Sequence, residues 1–138
     1  MSVTDTFGYQ HNNPLNLRPL ANGQMWHGQT GVLSGFCTFS DPRYCFRAWL
    51  MECHSYQATW GCQHVWDYIV HYAPAADDND PVTYTHEVED YMHLPRGSAF
   101  SLEDRKLDFC KGQMSVEIGG VPYDDELILE GFSWVTTH

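Results

Sequence analysis

Basic residues are scarce in this sequence. Its 138 residues include 7 Lys and Arg against 18 Asp and Glu, which gives a formal net charge of −11 at pH 7. Proteins that bind nucleic acid through its phosphates need a basic surface. The charge therefore argues against a nucleic-acid partner. It also provides no electrostatic attraction to an anionic membrane or an anionic polymer.

Long apolar runs and targeting signals are also missing. No stretch of about 18 consecutive apolar residues occurs, so no membrane-spanning segment is expected. The first six residues, Met1–Thr6, contain no basic residue and no apolar core. Secretory signal peptides carry both features, so we expect no signal peptide here.

Cysteine is present, but not in the spacing typical of metal sites. There is no C-x-x-C pair, and the count is odd, with Cys37, Cys45, Cys53, Cys62 and Cys110. An odd count without a signal peptide favours reduced thiols that act as small core residues. Zinc is the alternative because three histidines lie near these cysteines in sequence, but zinc ligands usually come in pairs at short fixed spacing. We therefore expect five reduced, mostly buried thiols and no metal or other cofactor.

Aromatic residues, by contrast, are abundant. They make up 14% of the chain, including five Trp and eight Tyr, within 43% hydrophobic residues overall. That is enough apolar material for the core of one domain of ordinary size. Tyr and Trp also line grooves for sugars, because each combines a flat face with a polar tip. Without visible repeats or linkers, residues 1–138 are expected to form a single domain.

Helix-starting and helix-ending signals divide most of the chain into about five helices. Asp41-Pro42 and Asp80-Pro81 each combine an N-cap residue with Pro at the first helical position, and Gly119 and Gly131 are typical helix ends. The predicted helices are 42–58, 63–72, 81–92, 101–117 and 124–129. Closely spaced glycines predict turns and short extended pieces over residues 1–40. The predicted fold class is mainly α, or α+β at most.

Helical spacing of apolar residues predicts which side of each helix is buried. The first helix is expected to bury Cys45, Ala48, Trp49, and Glu52 or Cys53. The second is expected to bury Val65, Trp66 and Ile69, and the third Val82, Thr85 and Met92. The fourth is expected to bury Leu102, Phe109, Cys110 and Met114.

Residues Asn12–Arg18, with the sequence N-N-P-L-N-L-R, form the most distinctive motif. Asn side chains bond to nearby backbone and tolerate turn geometry, while Pro fixes φ. Arg18 then supplies a rigid planar group with five hydrogen-bond donors. The motif predicts an ordered turn that carries polar groups. A turn that only caps the fold is the simpler alternative.

This motif is the first of several that resemble a family of small phage and prophage proteins. Members are described as virion structural proteins or as lysozyme-like peptidoglycan hydrolases. The similar motifs are N-N-P-x-N-[IL]-R at 12–18, W-x-G at 26–28, G-F-x-x-F at 35–39, Y-x-x-R-A at 44–48 and a Tyr-Ala-Pro segment at 72–74. Near the end, residues 116–123 resemble a family segment H-E-N-G-x-x-P-Y, with Val116 and Ile118 in place of its His and Asn.

The resemblance implies a lysozyme-like domain over 1–138 that cleaves the glycan strand of peptidoglycan, as a muramidase or a lytic transglycosylase. It implies a catalytic role for Glu117 and substrate-binding roles for Asn13, Asn16, Arg18, Trp26 and Tyr123. The implied partners are peptidoglycan and, for a particle-bound form, other virion proteins. The implied location is the virion or the host cytoplasm, with action at the bacterial cell wall. The alternative is a non-catalytic virion or tail protein that binds wall glycan or a partner protein.

Glu117 is also the leading candidate for a general acid on physical grounds. It lies in the last turn of the predicted fourth helix, between Val116 and Ile118. The negative end of the helix dipole and the apolar neighbours both disfavour a charged carboxylate, and so raise its pKa. A raised pKa suits an acid that protonates a glycosidic oxygen. An exposed Glu at a helix end is the alternative.

A second carboxylate would determine the reaction type, since glycoside hydrolysis uses a pair. Asp124 and Asp125 follow Glu117 closely, but we expect them to cap the last helix. No other acid has a setting typical of a site, so we favour a single acid, which is similar to a lytic transglycosylase. We expect Asn16, Arg18 and Glu117 to line one groove.

An amidase or protease with a Cys nucleophile is the remaining enzyme class. Cys53 and His54 are adjacent in sequence, so they point to different faces of a helix. Cys37 with His27 or His64 is the other pairing. Neither pair carries a local signature of a catalytic cysteine.

Overall fold

Six α-helices form most of the part of the chain that the structure describes. The computed structural model describes residues 2–74 and 79–136. The helices are α1 (Phe7–Gln10), α2 (Pro42–Trp60), α3 (Val65–Tyr72), α4 (Pro81–Tyr91), α5 (Leu102–Ile118) and α6 (Asp125–Ser133). A 3-10 helix, Val3–Asp5, precedes α1, and the strands β1 (Gln29–Leu33) and β2 (Phe36–Phe39) lie between α1 and α2. The mainly α fold class is confirmed. No helix in these ranges is both long and apolar enough to cross a membrane.

The predicted capping residues begin the main helices. The side chain of Asp41 accepts a hydrogen bond from the Arg43 backbone N–H at 2.9 Å, and Asp80 accepts one from Thr83 N–H at 3.1 Å. Each satisfies an amide that has no partner inside its helix. At the other end of α5, Gly119 adopts φ 81°, a left-handed conformation that favours glycine.

Two predicted helix boundaries are wrong. Helix α3 begins at Val65 rather than at residue 63, because the Asp67 carboxylate binds the backbone N–H groups of Gln63 and His64 and holds them outside the helix. Helix α6 continues through Gly131 to Ser133 rather than ending near 129. A Cβ at Gly131 would lie 2.7 Å from the Arg43 carbonyl oxygen. The glycine therefore serves close packing of α6 on α2, not helix termination.

The N-terminal region contains more regular structure than the turns and extended pieces predicted for it. Strands β1 and β2 pair antiparallel, with Val32 opposite Cys37 and Leu33 opposite Phe36. Ser34 and Gly35 join them with φ of 54° and 84°, the positive φ that two-residue hairpin turns require. Helix α1 is only four residues long, too short for periodicity to reveal it.

The core is centred on Trp49, which is fully buried on α2. Its ring packs against Phe109 of α5 at 5.5 Å and Phe132 of α6 at 5.7 Å between centroids. Its Nε1–H donates to Oε1 of Gln113 at 2.7 Å, so the buried polar edge is satisfied. Helix α2 packs against α6, and α4 packs against both α3 and α5.

Two residues predicted to face inward are exposed. Trp66 of α3 is 43% exposed and Val82 of α4 is 51% exposed. The buried positions next to them are Tyr68 and Tyr84. Each tyrosine hydroxyl has a hydrogen-bond partner: Tyr68 donates to the Cys62 carbonyl oxygen, and Tyr84 donates to the Glu117 carboxylate. Burying a tyrosine is favourable when its polar tip is paired, and apolar periodicity does not detect this.

All five cysteines are free and buried, as expected for thiols used as core residues. Burial raises the pKa of the Cys37 thiol to about 11, and it raises the pKa of Cys53 well above its ordinary value. A thiol with a raised pKa is a poor nucleophile near neutral pH. His54 is engaged elsewhere, with Nε2 at 3.3 Å from a Glu103 oxygen. These observations argue against an amidase or protease with a catalytic Cys–His pair.

Candidate functional site

The Asn12–Arg18 turn is organised by one buried side chain. Asn13 is completely buried. Its Oδ1 accepts a hydrogen bond from Leu17 N–H at 2.8 Å, and its Nδ2 donates to the carbonyl oxygens of Leu17 and Cys37 at 3.0 and 2.8 Å. The Asn13 side chain thus stabilises the turn and connects it to β2 by hydrogen bonds. It has no surface to offer a ligand, which corrects the substrate-binding role predicted for it.

The same turn directs Asn16 toward the end of α5. Asn16 has φ 51°, a left-handed conformation that Asn tolerates better than most residues. Its Nδ2 donates to Oε1 of Glu117 at 2.9 Å and lies 3.3 Å from the Glu117 carbonyl oxygen. The two residues are 101 positions apart in the chain. The predicted meeting of the N-terminal motif with Glu117 is confirmed.

The second oxygen of Glu117 is held from α4. The Tyr84 hydroxyl donates to Oε2 of Glu117 at 2.6 Å. The Tyr84 oxygen in turn lies 3.3 Å from Nε2 of Gln113, which donates to it. Both carboxyl oxygens are therefore positioned by donors from other parts of the fold. Such fixed orientation is what an acid needs to transfer a proton along one direction.

Burial sets the electrostatics of Glu117. It raises the pKa of the carboxyl group above its ordinary value, and this effect outweighs the hydrogen bonds from Tyr84 and Asn16 and the charge of Arg18, which all lower the pKa. The predicted direction is confirmed, and its cause is desolvation of the charged form.

Glu117 opens into a small hollow. The hollow has a volume of about 60 Å³ and is lined by Asn16, Arg18, Phe36, Tyr72, Ala73, Asn79 and Glu117. The guanidinium carbon of Arg18 lies 4.9 Å from the centroid of the Phe36 ring, a cation–π contact that orients the side chain. Asn16, Arg18 and Glu117 thus line one hollow, as the sequence predicted.

A larger hollow adjoins the first, because both are lined by Asn16, Arg18 and Tyr72. It has a volume of about 270 Å³ and contains a second carboxylate, Glu52 of α2. The Tyr56 hydroxyl donates to Oε1 of Glu52 at 2.7 Å. Burial raises the pKa of Glu52 as well.

The expectation that no other acid has a setting typical of a site is therefore wrong. The available signal was the position of Glu52, three residues after the buried Trp49 and one before the buried Cys53 on the inner face of α2. A carboxylate on a core-facing stripe is uncommon without a partner. Here Tyr56, four residues further on and thus on the same helix face, is that partner.

Trp26 and Tyr123 lie away from both hollows. Trp26 is half-buried and packs against the core. The Tyr123 ring lies 5.8 Å from that of Tyr9 and 5.5 Å from that of Phe46, between centroids. The structure therefore does not bring these two predicted binding residues together with Glu117, Asn16 and Arg18. Their aromatic faces are used in packing.

Of the two aspartates expected to cap the last helix, Asp124 does so, whereas Asp125 forms an ion pair instead. Asp124 is the N-cap of α6 and accepts a hydrogen bond from Leu127 N–H at 2.9 Å. Asp125 pairs with Lys111, whose Nζ lies 2.9 Å from Oδ1. Neither aspartate lines the hollow that contains Glu117.

Comparison with known proteins adds no identification. No known family model matches the sequence, and no curated protein matches it. Within residues 2–74 and 79–136, no group of three or more His, Cys, Asp and Glu side chains is placed to hold a metal ion.

Proposed function

We propose that this protein cleaves the glycan strand of peptidoglycan, with Glu117 as the general acid. One observation carries the proposal. A carboxyl group with a raised pKa is held by Tyr84 and Asn16 at the wall of a hollow that also contains an arginine. General acids of glycosidases combine these properties, a proton retained at higher pH and a fixed direction of transfer.

In the proposed reaction, Glu117 protonates the oxygen of the glycosidic bond as the bond to the anomeric carbon breaks. The positive charge that develops on the sugar is then quenched by a nucleophile. Attack by a hydroxyl of the same sugar gives an anhydro end, as in a lytic transglycosylase, whereas attack by water gives a reducing end. In either case the Glu117 carboxylate, which has given its proton to the leaving oxygen, takes the proton of the attacking hydroxyl or water and is restored as the acid. Among residues 2–74 and 79–136, Glu117 is the only carboxylate that lines the smaller hollow, which favours the transglycosylase.

Arg18 is suited to bind the acidic part of the substrate. Its side chain is exposed and oriented over Phe36, and a guanidinium binds a carboxylate through two parallel hydrogen bonds. Muramic acid, the lactyl-bearing sugar of peptidoglycan, carries a stem peptide, and a free carboxylate of that peptide would bind Arg18. Arg18 would place this sugar next to Glu117.

The family resemblance supports the same assignment. Asn16 and Arg18 come from its first motif and Glu117 from its last, and these residues line one hollow. Some motif residues outside the hollow serve the fold. Gly28, for example, lies so close to Tyr44 of another motif that a Cβ would be 2.1 Å from its ring.

A non-catalytic virion or tail protein is the second candidate. Two features favour it: the apolar Val116 and Ile118 beside Glu117, where the resembled family has His and Asn, and the net charge of −11. In that case the hollows would bind wall glycan, or a partner protein of the particle, without cleaving it.

Substitution of Glu117 by Gln tests the proposal. Gln keeps the shape and cannot donate an acid proton, so release of fragments from purified peptidoglycan should fall by at least about 10²-fold, the lower range for general acid catalysis. Asp124→Asn is the matched control, because Asn also caps a helix. Mass spectrometry of the products separates anhydro from reducing ends. If Glu117→Gln cleaves at the wild-type rate, Glu117 is not part of the mechanism. If the wild-type protein binds peptidoglycan without cleaving it, the result supports the non-catalytic virion or tail protein.

A further inference from the structure

We propose that the hollow at Glu52 binds the diamino acid of the peptidoglycan stem peptide, with Glu52 receiving its ammonium group and Arg18 its carboxylate. The inference rests on the proposed function, since it assigns a further part of the same substrate. It gives a role to a carboxylate that the proposed cleavage step does not use.

Glu52 has the properties of a receptor for a cation. It is half-buried, and its hydrogen-bond partner among the described residues is the Tyr56 hydroxyl. Within that part of the chain no Lys, Arg or His forms an ion pair with it, although ion pairs are common elsewhere on the molecule. A buried carboxylate without a cation is unfavourable. A ligand ammonium would supply the missing charge.

Arg18 provides the opposite charge at the same hollow. Its guanidinium carbon lies over the Phe36 ring, 4.9 Å from the centroid, and a guanidinium carries five N–H donors. No acceptor among residues 2–74 and 79–136 forms a hydrogen bond with it. An arginine and a glutamate that line one hollow without pairing with each other suit a ligand that carries both charges.

The size of the hollow suits one such unit. Its volume of about 270 Å³ lies just below the range of about 300–1,000 Å³ for drug-sized ligands. Leu17, Leu20 and Pro74 give it apolar walls, which fit the methylene chain between the two amines of a diamino acid. A neutral sugar of similar size would cover Glu52 without pairing its charge.

The position of the hollow agrees with the chemistry of the substrate. The stem peptide is attached to the lactyl group of muramic acid, so it must leave the glycan next to the cleaved bond. The hollow adjoins the one that contains Glu117, and Arg18 and Tyr72 belong to both. A sugar at Glu117 would therefore direct its peptide toward Glu52.

Calorimetry with a soluble muramoyl peptide tests the inference on the full-length protein. One probe carries a free side-chain amine on its diamino acid, and the other carries the same amine acetylated. We expect acetylation to raise the Kd at least tenfold for the wild type. Glu52→Gln should bind both probes with similar, weak affinity. Glu87→Gln is the matched control, since Glu87 is exposed on α4 and should preserve the wild-type preference.

Equal affinity of the wild type for the two probes, or no binding of either, would overturn the inference. This comparison needs no variant, so it decides the matter even if Glu52→Gln does not fold, which thermal unfolding would reveal. The binding experiment is also independent of turnover. Selective binding without any cleavage would support the Glu52 site and refute the proposed enzyme. Cleavage without selective binding would support the proposed enzyme and refute the Glu52 site.

Discussion

Tyr84 and Glu117 share a hydrogen bond of 2.6 Å in which the phenol donates to the carboxylate. The bond is the last of a directed series. Trp49 donates to Gln113 at 2.7 Å, and Gln113 donates to Tyr84 at 3.3 Å. Each donor fixes the orientation of the next group, because an amide or hydroxyl that accepts on one side must donate on the other. The orientation of the candidate acid is thus coupled to the centre of the core.

Tyr84→Phe should change both the pKa of Glu117 and the stability. The hydrogen bond from Tyr84 lowers the pKa of Glu117, so its removal should raise that pKa further and move the high-pH limb of the cleavage profile upward. The Nε2 of Gln113 also loses an acceptor, at a cost of about 1–3 kcal/mol. The pH profile of cleavage and urea unfolding measure the two effects.

Tyr91→Phe is the control for this substitution, because Tyr91 lies on the same helix and no hydrogen bond of its hydroxyl is present among the described residues. We expect it to leave the pH profile unchanged. A Tyr84→Phe protein whose profile matches the wild type would show that the phenol does not act on Glu117.

The wild-type pH dependence follows from the raised pKa of Glu117. Cleavage requires the protonated carboxyl, so activity should decline as the pH rises through the pKa of the folded protein, which lies above about 4.3, the ordinary value for Glu. Stability should change in the same direction. A folded-state pKa above the unfolded value contributes stability that is complete below the unfolded pKa and lost as the pH rises through the folded one.

Comparison with Glu117→Gln isolates this contribution to stability. The free energy of unfolding of the wild type, measured against pH, should decline relative to that of the variant from about pH 4 upward. Parallel curves for the two proteins would mean that burial of Glu117 carries no electrostatic cost.

Asn16 offers a way to separate backbone conformation from hydrogen bonding. Asn16→Gly and Asn16→Ala both remove the 2.9 Å bond to Glu117 and should reduce cleavage to a similar extent. Because φ is 51° at this position, alanine carries a penalty of about 1–2 kcal/mol that glycine avoids. Thermal unfolding should give a lower melting temperature for Asn16→Ala than for Asn16→Gly. Equal cleavage rates for the wild type and both variants would show that the Asn16 amide has no role in cleavage.

Gly28 and Gly23 form a matched pair for the packing of the N-terminal region. Their φ values are similar, 76° and 79°. A Cβ at Gly28 would lie 2.1 Å from the Tyr44 ring, whereas a Cβ at Gly23 would meet nothing within 4 Å. Gly23→Ala should therefore carry the backbone penalty alone, about 1–2 kcal/mol, and Gly28→Ala should be clearly less stable. Equal melting temperatures would contradict this account of the W-x-G motif.

The sequence predicted features that depend on neighbouring residues. The mainly α class and the starts of α2 and α4 follow from caps and prolines at fixed positions, since a capping side chain acts within its own helix turn. The burial of the cysteines follows from their number and spacing. The direction of the pKa shift of Glu117 was also predicted, from its apolar neighbours and its place at a helix end, although its cause, burial of the carboxyl group, arises from the packing of the folded chain.

Other features were decided by the tertiary structure, because they depend on groups far apart in the chain. Asn13 and Asn16 are alike in sequence terms, yet one is buried by β2 and the other reaches Glu117. In the sequence, Glu52 is one polar residue on a predicted buried helix face. The structure shows that it lines a hollow together with Arg18 and Tyr72. Local patterns determine which helices form, whereas burial of a polar group and its partners is determined only when those helices pack.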